Sequence, residues 1–354
     1  MLDVPVESFP ERIFLAFRYQ RIEHHERVVG DERIRRDHLA PALPALVSRG
    51  CPFRVGSGPP PQPRGDLLDV HGQTVPVRTV RAMAFVAMPQ PFDFELTTER
   101  FRVFGPDLAS LWHEGGLHRV LDGREVRIEP APGGVDVDPL DDEIRPVVLT
   151  LLGAQFDLGA FQPNDPMLAG LAKRLRGFRP PLAPDPFEML VGAISAQQIS
   201  LRAAFAVRNR FVERFGIRGE LAYAFPTPER ISEVTPDDLR ALGFSLRKAE
   251  YVLGLARADL DYGALAALPD EEVKARLVQL PGIGEWTADW FLARHLGRPR
   301  AWPAGDLALR KVVSAFYGDG RPLTTEEVRT IGERFEPFQN LSAHYLLTGS
   351  RLPA

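Results

Sequence analysis

Apolar positions along this chain follow two different periods, and the change between them divides it. From about residue 164 onward they recur every three to four residues, the spacing that lines one face of a helix. That spacing predicts helices over Met167 to Leu175, Pro186 to Ala196, Leu201 to Phe215, Asp237 to Leu242 and Arg247 to Ala256. It predicts four more over Glu271 to Gln279, Glu285 to Leu296, Leu307 to Phe316 and Thr325 to Phe335. Thr325, followed by Glu326 and Glu327, suits a helix start with acidic residues in the first turn. Between about 91 and 163 the pattern is alternation instead. Phe92, Phe94 and Leu96 alternate, as do Val126 and Ile128, and again Val135 and Val137, and all read as strands. Gly133-Gly134 is a turn signal between the last two, and Asp107 to Glu114 suits a short helix. The chain is therefore expected to be α+β: a small αβ domain with an antiparallel sheet over 91–163, then a mainly helical domain over 164–354.

Residues 1–90 keep no sustained period. They hold the Pro59-Pro60-Pro61 run and Pro63, contain arginine but no lysine, and offer only Phe14, Leu15 and Phe17 as the seed of one short helix. They read as a disordered tail, or as an upstream extension from a mis-assigned start with Met83 or Met88 as the natural first residue. A small independent domain is the rival reading.

Composition narrows the class. At 354 residues the chain is long enough for two or three domains. A 44% hydrophobic and 25% charged content belongs to a soluble globular protein. No run approaches the roughly 20 apolar residues that span a bilayer. Asp3, Glu7 and Glu11 interrupt the form of a secretion signal. The single Cys51 rules out a disulfide framework, a four-cysteine zinc site and a cysteine-held iron–sulfur cluster. A reducing cytoplasm is the simplest compartment. The net charge of −4 argues against a strong nonspecific coat on nucleic acid. Basic residues nonetheless cluster locally: Lys173, Arg174, Arg176 and Arg179; Arg202, Arg208, Arg210 and Arg214; and Arg294, His295, Arg298, Arg300, Arg310 and Lys311. Each cluster is also what a solvated helix face looks like.

The segment Leu280 to Asp306 carries the chemistry. Leu280-Pro281-Gly282-Ile283-Gly284 can turn so that successive backbone N–H groups point into the start of the next helix. Such a nest binds phosphate through bare amides and the helix N-terminus. Glycine at 282 and 284 permits positive φ and a close approach of backbone to ligand. Thr287 and Ala288 are small enough for a neighbouring helix to pack tightly. Taken alone, the pentapeptide is equally a tight inter-helix turn. With Thr287-Ala288 attached and Asp306 following Gly284 by 22 residues, the phosphate-binding reading gains weight.

The segment resembles the helix–hairpin–helix DNA glycosylases, and most of all the alkylpurine branch, DNA-3-methyladenine glycosylase II. The resemblance extends upstream through Phe187-Glu188-Met189-Leu190 and Ile194-Ser195-Ala196-Gln197-Gln198-Ile199-Ser200. It continues through Phe225-Pro226-Thr227-Pro228-Glu229-Arg230 and Leu242-Gly243-Phe244-Ser245-Leu246-Arg247-Lys248-Ala249. It runs from about 91 to 350 and is specific from about 185. It implies an N-terminal αβ domain, a helix–hairpin–helix domain, and removal of alkylated purines such as 3-methyladenine or 7-methylguanine from double-stranded DNA in base excision repair. The family is monomeric, needs no cofactor or catalytic metal, and would be cytoplasmic, on the nucleoid when bound to DNA. Its hairpin holds a weak alkali cation through backbone carbonyls, here those of Val278, Leu280 and Ile283.

The resemblance also implies residue roles. Asp306 would stabilise the oxocarbenium-like sugar and orient or deprotonate the attacking water. As an ordinary N-cap for Leu307 to Phe316 it is equally well placed, and the two readings do not compete. Trp286 stands where lyase-competent relatives carry a Schiff-base lysine, which implies a monofunctional enzyme. Trp286 and Trp290, four residues apart on one helix face, are expected to stack on a cationic base, with core packing as the plain alternative. The pocket aromatic near the family's C-terminus is Leu347 here, with Tyr345 nearby as the candidate. Gln198 would fill the gap left by a flipped base, or is simply a solvated amide at a helix end. Gly282, Ile283, Gly284 and Thr287 complete the DNA-binding set. Removal of a different damaged base such as hypoxanthine, and a noncatalytic damage-binding module, are the competing functions.

Overall fold

The computed structural model describes residues 83–352. Their first part runs β1 (Ala84–Ala87), α1 (Phe94–Thr98), α2 (Arg100–Val103), β2 (Leu111–His113), β3 (Gly116–Leu121), β4 (Arg124–Ala131), β5 (Gly134–Asp138) and α3 (Ile144–Leu151). Strands β2 to β5 are successive hairpins and β1 pairs with β5. The sheet order is β1-β5-β4-β3-β2, antiparallel throughout. Glu114-Gly115 and Asp122-Gly123 both have positive φ, the turn geometry whose twist matches flanking antiparallel strands. Alternation puts Leu117, Val126, Ile128, Val135 and Val137 on one face, where they bury against Ile144, Val148 and Leu151 of α3 and against Phe94 and Phe101.

Twelve helices follow among the described residues: α4 (Pro166–Arg174), α5 (Pro186–Ala196), α6 (Leu201–Phe215), α7 (Pro228–Ser232), α8 (Pro236–Ala241), α9 (Leu246–Ala256), α10 (Tyr262–Ala266), α11 (Asp270–Leu277), α12 (Glu285–Arg294), α13 (Leu307–Tyr317), α14 (Thr325–Glu333) and α15 (Gln339–Gly349). A two-residue ribbon, β6 (Ile217–Arg218) with β7 (Tyr223–Ala224), lies between α6 and α7. The boundaries follow from local chemistry. Asp185, Ser200, Ser245, Asp306 and Thr324 each accept the N–H of the residue three positions on. A cap of this kind contributes about 1 kcal/mol. Proline at the first turn of α4, α5, α7 and α8 has φ already set for a helix and lacks an N–H that would go unpaired there. One contiguous core results, with Phe187, Phe211, Phe291 and Leu190 at its centre. No helix among the described residues is long and apolar enough to cross a membrane.

The α+β expectation holds, and all nine expected helices are present within a residue or two of their ends. Three readings are corrected. Phe94 and Leu96 lie in helix α1, where the Asp93 side chain caps the Leu96 N–H and overrides the short alternation. Asp107 to Glu114 is not a helix: a turn at 106–110 leads into β2. The sheet begins at Ala84, so the boundary drawn at residue 90 is too late. Val86 is a buried core residue and Ala84–Ala87 pairs along β5, so a chain starting at Met88 would lack an edge strand. The rest of the 1–90 reading lies outside the described residues. α15, absent from the expectation, is buried along its whole length and shows no amphipathic period to detect.

Sheet and helices are joined through buried ions. Arg119 of β3 pairs with Glu188 of α5 at 2.6 Å, and Glu188 pairs with Arg208 of α6 at 2.6 Å. Arg208 continues to Asp107. Removing one member of such a buried network leaves an uncompensated charge and costs about 3–5 kcal/mol.

Candidate active site

The turn between α11 and α12 makes the hairpin. Gly282 sits at φ +86, and a Cβ there would meet the Tyr251 ring at 2.3 Å. Only glycine satisfies both conditions. Gly284 differs from expectation: it is extended, at φ −98 and ψ 178, and serves as the N-cap of α12. Among the described residues no side chain caps that helix, so its first-turn amides keep their partial positive charge without a side-chain acceptor. The Glu285 carboxylate is drawn to Arg329 of α14 at 3.0 Å. Ile283 is buried, and the Leu280 carbonyl accepts its N–H.

Two of the expected DNA contacts have buried side chains, which leaves only their backbone to reach DNA. Thr287 is fully buried, as is Ala288, because this face of α12 packs into the helical core. Ile283 likewise points inward. What the hairpin presents is backbone at Gly282 and Gly284 and the start of α12. Nearby, Gln198 is exposed at φ +59 in the α5–α6 turn, a conformation uncommon for a residue with a Cβ. Its neighbour Gln197 donates from Nε2 to the Gly282 carbonyl at 2.8 Å. That bond ties the α5–α6 turn to the hairpin. Sequence reading overlooked Gln197, and the adjacent pair of glutamines was its only local signal.

Beside the hairpin opens a cavity of about 230 Å³ lined by Trp286, Trp290 and Asp306 on one side and by Arg100, Glu188 and Arg208 on another. Asp306 caps α13 through Oδ1, which accepts the Leu309 N–H at 2.8 Å. Its Oδ2 accepts two indole N–H groups, from Trp286 at 2.9 Å and Trp290 at 3.1 Å. The i, i+4 spacing on α12 brings both indoles to one oxygen. Three donors leave this carboxylate little freedom to rotate.

The indole faces are not both open. The Arg294 guanidinium lies 4.1 Å from the Trp290 ring centroid, one helical turn further along α12. His344 meets Trp290 edge-on at 5.7 Å. Burial, reinforced by Arg294, Arg100 and Arg351, holds the His344 imidazole well below its ordinary range. Burial likewise lowers Arg294, with Arg100 and Arg351 adding to the effect and Asp306 opposing it. Arg351 also lines the cavity and is paired with Glu99 at 3.0 Å.

Tyr345 is not in the cavity. It is 2% exposed, donates its hydroxyl to the Phe178 carbonyl at 2.9 Å, and packs on Phe161 and Phe178. Its neighbours His344, Leu347 and Thr348 line the cavity instead. An all-buried helix has no outward face, so spacing alone could not say which side of α15 meets the ligand. Arg294 was visible as the residue four beyond Trp290. Arg100 and His344 had no local signal, because sequence-distant elements bring them in.

Residues 191–337 match the family model for the HhH-GPD superfamily base excision DNA repair protein. The chain is 32% identical over 190 residues to a DNA-3-methyladenine glycosylase of Bacillus subtilis, covering 51% of this chain and 63% of that relative. It is 31% identical over 217 residues to DNA-3-methyladenine glycosylase 1 of Schizosaccharomyces pombe, covering 60% of this chain and 92% of the relative. Among solved structures, a 3-methyladenine DNA-glycosylase from Archaeoglobus fulgidus superposes with a TM-score of 0.68 at 30% identity, covering 76% of this chain and 99% of that one. The chain thus spans slightly under two thirds of the Bacillus subtilis relative and nearly the whole of the other two. With the hairpin, the capped aspartate and these matches together, the chain belongs to the HhH-GPD superfamily of base excision DNA repair proteins, in its alkylpurine branch.

Proposed function

We propose that this protein is a monofunctional DNA glycosylase that flips alkylated purines, of the 3-methyladenine or 7-methylguanine type, out of double-stranded DNA and hydrolyses their N-glycosidic bond. One observation carries the reading: a carboxylate held by three N–H donors in a cavity lining, next to a hairpin whose following helix has no side-chain cap.

The hairpin backbone at Gly282 and Gly284, with the uncapped start of α12, would take a DNA phosphate. A monovalent cation at the carbonyls of Val278, Leu280 and Ile283, as the resemblance implies, would reinforce that contact. Gln198, exposed on its strained turn, would enter the duplex as the base leaves it. Asp306 would then lie beneath the sugar, where its charge stabilises the oxocarbenium-like cation as the C1′–N bond breaks. It would accept the proton of the water that attacks C1′. Among the described residues no lysine lines the cavity, so none of them offers an amine for a Schiff base with the sugar. The product is an abasic site. A noncatalytic damage binder has no evident use for a carboxylate so firmly oriented.

The test is base release from methylated duplex DNA, read by chromatography, for wild type and Asp306→Asn side by side. Release of 3-methyladenine or 7-methylguanine by wild type alone is expected. A fully active Asn variant would overturn the assignment of the carboxylate, and silence from wild type that still binds DNA would overturn the activity.

A further inference from the structure

Two guanidinium groups in the cavity form no ion pair among the described residues. The cavity's other arginines are committed: Arg119 and Arg208 to Glu188 and Asp107, and Arg351 to Glu99. Arg294 and Arg100 make no ion pair among the described residues. Arg294 meets only the face of Trp290, and its Nε is buried without a hydrogen-bond partner. Arg100 meets the ring of Phe101 at 5.7 Å, and the Asp107 and Glu188 carboxylates of the same cavity act on it without forming an ion pair. The repulsion between these two groups contributes to the lowered affinity of Arg294 for its proton, so their fields overlap in the cavity. Arg294 and Asp306 line the same cavity.

A positive wall has opposite consequences for two kinds of alkylated base. A base such as 7-methylguanine is cationic while attached and leaves neutral, so its entry is opposed. An uncharged adduct, such as a cyclic etheno-adenine, enters neutral. When its C1′–N9 bond breaks, the bonding electron pair departs with N9 and the base becomes an anion. A fixed guanidinium stabilises that developing charge in a site shielded from water. The released anion then takes a proton from solvent, while the water proton goes to Asp306 and the water oxygen bonds to C1′.

We propose that Arg294, seated on Trp290 and supported by Arg100, is a specificity-determining residue that shifts this cavity toward uncharged alkylated purines by stabilising the departing base as an anion. This rests on the glycosylase reading above. Arg294 covers one face of Trp290, the indole on which a cationic base was expected to stack.

The experiment compares kcat/KM for release of 1,N6-ethenoadenine and of 7-methylguanine from otherwise identical duplexes, for wild type, Arg294→Met, Arg294→Lys and Arg100→Met. The ratio of the two rates is the readout, because a purely structural loss lowers both together. Arg294→Met is expected to move the ratio by about tenfold or more toward 7-methylguanine. Arg100→Met should move it the same way by less, and Arg294→Lys should keep most of the wild-type ratio. A ratio unmoved in both Met variants, with 7-methylguanine still released by an Asp306-dependent reaction, overturns the inference and leaves the glycosylase reading standing. Release of neither base by wild type overturns both.

Discussion

Trp286 donates its indole N–H to Oδ2 of Asp306 at 2.9 Å, so a side chain expected to hold the base also holds the carboxylate. Trp290 does the same from one turn further along α12. Each indole therefore has an aromatic body lining the cavity and a polar edge aimed at the reacting group.

Trp286→Phe keeps a ring but removes the donor. The Asp306 carboxylate then retains the Trp290 and Leu309 bonds and gains freedom to rotate. We expect kcat for base release to fall by about ten- to a hundredfold, the equivalent of losing one hydrogen bond to a charged group of about 1.5–3 kcal/mol. KM should change less. An equal loss in kcat and in DNA affinity would mean that the ring, not the N–H, matters.

Asp306→Asn separates cap from catalyst. Asparagine caps a helix about as well as aspartate, so thermal unfolding should shift by only a few degrees while base release disappears. A large drop in Tm would show the cap contributing more than its usual share.

Gly282→Ala meets two obstacles: a positive φ and a Tyr251 ring 2.3 Å from the new methyl. Backbone strain alone costs on the order of 1–3 kcal/mol. The hairpin should distort and duplex affinity should fall, measured by fluorescence anisotropy. Wild-type affinity in this variant would remove the hairpin from the DNA contact.

Gln198→Gly tests the exposed turn with effects of opposite sign. Glycine adopts φ +59 without penalty, so stability should hold or rise slightly. The side chain proposed to fill the duplex is lost, so base release should slow by about tenfold, since flipping costs a few kcal/mol. Unchanged release would assign Gln198 to solvent.

Asp289 supplies a pH dependence. It is buried in α12 and 3.2 Å from Lys274 of α11. Burial pushes its carboxyl up to about 6, with Lys274 opposing. A carboxyl whose folded pKa is raised stabilises the fold most at low pH, and that contribution is lost as pH rises through about 6. The Tm of wild type relative to Asp289→Asn should therefore decline from pH 4 to pH 7. The buried imidazoles of His295 and His344 have lowered values and the opposite slope, but they are common to both proteins and cancel in the difference. A flat difference would mean that Lys274 fully compensates the burial.

The sequence by itself determined the parts that depend on neighbours a few residues apart. Helix positions followed from apolar spacing and from caps such as Ser200 and Asp306. The hairpin followed from Gly282, whose conformation is a property of one residue. Asp306 stood out because a cap and a carboxylate at one position are both local facts. Local pattern misled where two local signals competed: Phe94 and Leu96 alternate like a strand, yet the Asp93 cap starts a helix there. Only the tertiary structure decided which side chains meet around the cavity. Arg100 comes from the αβ part, Glu188 from α5, Arg294 from α12 and His344 from α15, and no spacing relates them. It also decided that Tyr345 turns into the core while Leu347 faces the cavity, and that Thr287 is sealed against its neighbours. These outcomes follow from how close-packed helices share their faces. That depends on every partner at once, so no stretch of sequence carries it alone.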